Sequence, residues 1–79
     1  MSGTTLEDLA RAGEAVHTTR VAYLTAETRY EATRPAAWAG CPQRIRERAA
    51  EADQAYDAWR AARLELGRIR AARKAAAQS

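Results

Sequence analysis

Two side chains in this sequence belong to types that commonly do proton-transfer or covalent chemistry, His17 and Cys41, and each is the only one of its kind. An imidazole works as an acid or base when a partner orients it and a pocket excludes water. His17 has only Glu14 and Arg20 at three residues on either side, and it falls within an apolar stripe, so it reads as a surface or stripe residue. Cys41 stands between Gly40 and Pro42, where the start of a following helix could lower its thiol pKa. The simpler reading is a small polar cap in an exposed turn. One Cys allows no internal disulfide, and one Cys with one His cannot complete a four-ligand zinc site. Nor is there a Gly-rich phosphate loop, a paired-carboxylate arrangement or a nucleophile elbow. The expectation is a protein with no catalytic, cofactor-binding or metal site, and not an enzyme.

What remains is binding chemistry, carried by aromatic and cationic side chains. Trp38 lies in the Pro- and Gly-containing stretch 34–42, where a large apolar group either folds back or anchors a partner. Leu64 points away from the apolar stripe of its segment, and Tyr23 and Tyr30 flank theirs. Apolar surface thus extends beyond one seam. Trp38, Cys41, Leu64, Tyr23 and Tyr30 are accordingly the expected partner-binding residues. The cations are unevenly placed: residues 1–33 carry three Arg against five acids, residues 34–79 ten bases against five acids. The alternative expectation is a nucleic-acid surface formed by Arg60, Arg63, Arg68, Arg70, Arg73 and Lys74, whose phosphate binding would weaken steeply with salt. Glu51, Asp53, Asp57 and Glu65 interleave with the earlier bases, so only the end of the segment is purely basic.

The elements that must position these groups follow from punctuation and periodicity. Gly and Pro cluster in one place, Arg34 to Pro42, between segments of helix-forming and charged residues. This predicts a single all-α domain over 1–79, with a helix over about 5–33, a turn over about 34–42 and a helix over about 42–76. Thr4 and Glu7 have capping-box spacing at the first start, Pro35 disfavours the α conformation at Arg34, and Pro42 suits a first helical position. At about 100° per residue, Leu6, Leu9, Ala10, Gly13, Val16, His17, Val21 and Leu24 share one face. Ile45, Ala49, Ala52, Ala55, Tyr56, Trp59, Ala62 and Leu66 share another, with Ile69 at its margin. The near-3.5 repeat in the second segment predicts an antiparallel, coiled-coil-like hairpin. Folding about 34–42 would set Leu24 opposite Ala52, Val16 opposite Arg60 and Leu6 opposite Arg70. In that register Arg20 would reach Asp53 or Asp57, and Glu27 would reach Arg48.

A chain of 79 residues without Phe, whose apolar fraction is dominated by Ala, has little area to bury. Small scaffolds of this kind need a staple, a metal, or a partner, and the first two are missing. The expected partners are a second copy, giving a dimeric four-helix bundle, and another protein that the module regulates as inhibitor or adaptor. No apolar run approaches the about 18 residues of a membrane span, and no secretory signal is visible, so a cytoplasmic location is expected. Ala- and Arg-rich usage points to a bacterium with GC-rich DNA, or to one of its phages. Trp38-Ala39-Gly40 between two helices is similar to the Trp-x-Gly turn of the WXG100 secretion substrates. That resemblance implies a secreted helical hairpin that dimerises into a four-helix bundle. The family's export signal pairs a Tyr with an acid four residues on, beyond the second helix. Here Tyr23 and Glu27 have the spacing but lie inside the first.

Overall fold

The structure is a computed structural model that describes residues 5–38 and 40–78, leaving out the side chains of residues 36–38. It consists of two α-helices, α1 (Leu6–Trp38) and α2 (Pro42–Gln78), packed antiparallel as a hairpin 61 Å long and 17 × 13 Å across.

Helix α1 begins at a reciprocal cap one residue later than the sequence spacing suggested. Thr5 N–H donates to Asp8 Oδ2 and Asp8 N–H donates to Thr5 Oγ1, both at 3.0 Å, which satisfies two amides that a helix start leaves free. The expected pair, Thr4 with Glu7, includes a residue outside those described. At its other end the helix does not stop near Thr33 but runs through Pro35 to Trp38. Pro35 forfeits one hydrogen bond in the final turn, and only three helical residues follow it, so the disruption stays local. The connection is therefore shorter than the expected 34–42 turn. Gly40 takes φ +93°, the left-handed conformation that glycine adopts without steric cost at a helix end. Helix α2 starts at Pro42 as expected and extends two residues beyond 76.

The longer α1 shifts the register by about one turn. Tyr23 meets Tyr56 and Trp59, and Ala12 shares a groove with Ile69, so the pairings Leu24 with Ala52 and Leu6 with Arg70 are not formed. The less exposed residues alternate at spacings of three and four along both helices. In α1 they include Leu9, Ala12, Val16, Thr19, Tyr23, Ala26, Tyr30 and Thr33; in α2, Ile45, Arg48, Ala52, Ala55, Trp59, Ala62, Leu66, Ile69 and Arg73. This heptad spacing keeps the seam against its partner over the whole hairpin. The threonines fit the seam because their hydroxyls are satisfied within their own helix. Thr19 Oγ1 donates to Ala15 O at 2.6 Å, and Thr33 Oγ1 to Tyr30 O at 2.8 Å.

Most of the apolar face expected for α1 is not in this seam. Leu9 and Val16 are, and Gly13 borders it, whereas Leu6, Ala10, His17, Val21 and Leu24 are exposed. In α2 the expected face holds except for Tyr56, which is exposed, and Ile69, which moves from margin to centre. Among the described residues only Ala12 and Ile69 are buried, at 8 % and 5 % exposure.

Candidate interaction face

The hairpin has two broad faces, distinguished by the residues that line the grooves between the helices. One groove, near the open end, is bounded by Asp8, Ala12, Ala15, Glu65 and Ile69. A second continues the same face toward the turn with Ala22, Ala26, Glu51 and Ala55. The other face is marked by a groove between Tyr23, Glu27, Tyr30 and Glu31 of α1 and Ala49, Asp53 and Tyr56 of α2. Because the seam holds heptad spacing, residues seven apart keep the same position relative to the partner helix. The second face therefore continues from Glu27 back to Arg20, from Glu31 back to Leu24, His17 and Ala10, from Asp53 on to Arg60 and Lys74, and from Tyr56 on to Arg63 and Arg70.

At the middle of this face sits an aromatic cluster. Tyr23 stacks on Trp59 with ring centroids 5.6 Å apart, and Tyr56 meets both edge-on at 5.3 and 6.0 Å. The Arg63 guanidinium lies 4.9 Å from the Trp59 ring, a cation–π contact. Trp59 Nε1 is buried and has no hydrogen-bond partner, and an unmet donor of this kind costs about 1–3 kcal/mol. Tyr23 Oη donates to a Glu27 carboxylate oxygen at 2.5 Å. That bond to an anion stabilises the neutral phenol and holds the Tyr23 pKa above its ordinary value, reinforced by desolvation and the charge of Glu27.

The charges of the two faces are organised differently. Arg11 pairs with Glu7 and Asp8, Arg48 with Glu51 and Arg68 with Glu65, on the first face or along the hairpin's outer edges. Arg34 pairs with Glu31 near the turn. On the second face, Arg20, Asp53, Arg60, Arg63, Arg70 and Lys74 make no ion pair with any described residue. The expected bridges from Arg20 to Asp53 or Asp57, and from Glu27 to Arg48, are not formed: Arg48 binds Glu51 and Glu27 binds Tyr23. The second face is thus banded: basic over the half nearer the open end (Arg20, Arg60, Arg63, Arg70, Lys74), acidic next to it (Glu27, Glu31, Asp53), and basic again at the turn, where Arg34 stands seven residues after Glu27 and Arg46 seven before Asp53.

The residues expected to bind a partner do not form one patch. Tyr23 and Tyr30 line the second-face groove. Leu64, 66 % exposed, lies on the outer side of α2, and Cys41 is an exposed free thiol at the turn. Trp38 belongs to α1 rather than to the turn, and its side chain lies outside the described residues. The basic set is divided as well. Arg60, Arg63, Arg70 and Lys74 share the second face, Arg68 is bound to Glu65 on the other side, and Arg73 falls on the seam. Sequence reasoning missed Arg20, Leu24 and Tyr56 as members of the exposed face; the heptad series Ala10, His17 and Leu24, with Leu6 one turn before it, was the available signal.

Among the described residues, no group of three or more His, Cys, Asp or Glu side chains could hold a metal ion, and no helix is long and apolar enough to cross a membrane. The chain matches no protein-family model, no curated protein and no solved structure.

Proposed function

We propose that this chain is a non-catalytic protein–protein interaction module: a helical hairpin that self-associates into a four-helix bundle and, in that form, binds and regulates another protein. The observation that carries the reading is the apolar series left outside the seam. Leu6 is 70 % exposed and Leu24 and Tyr56 are each 42 % exposed, beside a seam in which only two of the described residues are buried. A four-helix bundle needs each helix to present two adjacent stripes, one to its hairpin partner and one to the second hairpin. Helix α1 has both, each at heptad spacing.

Area supports the same reading. The chain exposes 5997 Å², whereas a compact monomer of its 8.7 kDa exposes about 4,700 Å². The surplus exceeds the about 800 Å² that each partner contributes to a standard interface. Left alone, that surface has little to offset the entropy of ordering two long helices.

Nucleic-acid binding is a second reading, favoured by one observation: five cations on one face (Arg20, Arg60, Arg63, Arg70 and Lys74) make no ion pair with any described residue. Light scattering across a concentration series, at low and high salt and with a generic DNA duplex, separates the two. Self-association predicts a mass of two chains that is indifferent to DNA. A monomer that shifts only with DNA, and only at low salt, would overturn the proposal in favour of the second reading.

A further inference from the structure

We infer that the partner on the banded face is a second copy of this chain, reversed end for end, with the two turns at opposite ends of the bundle. This rests on the self-association proposed above and adds the face, the axis and the contacts. Charge and level along the hairpin decide the arrangement. Tyr56 packs against Tyr23, so Leu24 and Tyr56 stand at nearly the same height on the two helices, and both are exposed. On α1, Arg20 lies on the open-end side of that level and Glu27 on the turn side; on α2, Arg60 and Asp53 lie in the same way. At 1.5 Å per residue each is about 5 Å from it.

Two closed two-fold arrangements stack this face on itself. In the first, the axis runs along the helices and both turns lie at one end. The basic band of one copy then covers the basic band of the other, Arg20, Arg60 and Arg63 against the same residues, with no counter-charge between them. In the second, the axis runs across the hairpin through the level of Leu24 and Tyr56. Here α1 lies antiparallel on the second α1, and α2 on the second α2. Leu24 meets Leu24 and Tyr56 meets Tyr56 at the axis, while Arg20 comes opposite Glu27 and Arg60 opposite Asp53, each twice by symmetry. Among the described residues Arg20, Arg60 and Asp53 make no ion pair within their own hairpin, and Glu27 accepts the Tyr23 hydroxyl. Like charges laid face to face oppose one arrangement and opposite charges favour the other, which is how charge selects register and orientation at an interface. On the other broad face the acids that line the grooves, Asp8, Glu51 and Glu65, are already held by Arg11, Arg48 and Arg68.

The test uses two full-length variants, Arg20→Glu with Arg60→Glu, and Glu27→Arg with Asp53→Arg, each confirmed helical by circular dichroism. All four positions are exposed, so the hairpin itself keeps its seam. Sedimentation equilibrium should show each variant alone associating at least about tenfold more weakly than the parent, since four attractive contacts become repulsive. A 1:1 mixture of the two should recover a dimer containing one of each. In a Cys41→Ser background, Leu24→Cys should form a disulfide-linked dimer on mild oxidation, because the axis brings that residue onto its own copy. A dimeric parent whose variants associate unchanged, and whose Leu24→Cys form does not cross-link, overturns this arrangement while leaving self-association standing. A parent that stays monomeric overturns both.

Discussion

Replacing Ile69 by Ala tests whether the seam lies where the structure places it. Ile69 is 5 % exposed, the most buried of the described residues, and it shares a groove with Ala12 near the open end. Removing three carbons from a buried isoleucine costs about 2–5 kcal/mol in well-packed interiors. The groove beside Ile69 is open to water, and its neighbour is a small alanine, so the gap is partly solvated and the cost belongs at the low end, about 2–3 kcal/mol. A chain of this length has about 4–12 kcal/mol of stability in total, so the change is a large share of it. At about 4–8 °C per kcal/mol for a small domain, the midpoint of thermal unfolding should fall by about 8–24 °C. Leu64→Ala is the matched control. At 66 % exposure it deletes carbons that water already reaches, and it should stay within about 0.5 kcal/mol of the parent. Thermal melts followed by circular dichroism at one protein concentration measure both. If Leu64→Ala costs more than Ile69→Ala, the seam is on the wrong side of α2 and the two-face description falls with it.

Three further outcomes follow from the same contacts. Tyr23 should titrate above the ordinary tyrosine range because its hydroxyl donates to Glu27, and Glu27→Gln should bring it back down, as read by tyrosinate absorbance. Since the folded value is raised, the stability from this bond is present below pH about 10 and is lost as pH rises through the folded pKa. At the other extreme, the Thr5 amide holds the Asp8 pKa below its ordinary value. The stability from the cap is therefore present above the ordinary Asp pKa and is lost as pH falls through the lowered one. Thr5→Ala keeps that amide but removes the hydroxyl that accepts from Asp8 N–H, and should cost about 1 kcal/mol near neutral pH, whereas Asp8→Asn, which removes the titrating carboxylate, should flatten the acid loss in melts between acidic and neutral pH. Gly67 lies in the interior of α2 with open space where a Cβ would stand, so Gly67→Ala should raise stability by about 0.5–1 kcal/mol.

The sequence reading fared differently on the two helices. Helix α2 was legible because one stripe dominates it: Ile45, Ala52, Ala55, Trp59, Ala62 and Leu66 were expected on the inner face and are there. Helix α1 was misread because it has two apolar stripes about a quarter-turn apart. Counting aliphatic residues selects the one with Leu6, Val21 and Leu24. Packing selects the other, since Tyr23 stacks on Trp59 and the methyl groups of Thr19 and Thr33 become available once their hydroxyls bond within the helix. A hydropathy pattern counts those threonines as polar and cannot see the bond. The register error has a single origin. Pro35 reads as a helix stop, yet α1 continues to Trp38, and the shorter connection moves each residue of α2 about one turn along α1. Once the register moves, the expected cross-helix ion pairs lose their geometry, and Arg20, Asp53 and Arg60 are left facing outward. The apolar series through Ala10, His17 and Leu24 was legible in the sequence, but the charges that band the face beside it depend on the register and were not.

If a second hairpin completes the exposed stripe of α1, the stability of the fold must depend on protein concentration. Because association stabilises the folded form by mass action, the midpoint of thermal unfolding should climb steadily as protein concentration is raised from sub-micromolar upward, with a mass of two chains at the upper end. A midpoint that does not move over that range, with the mass of one chain throughout, would contradict it.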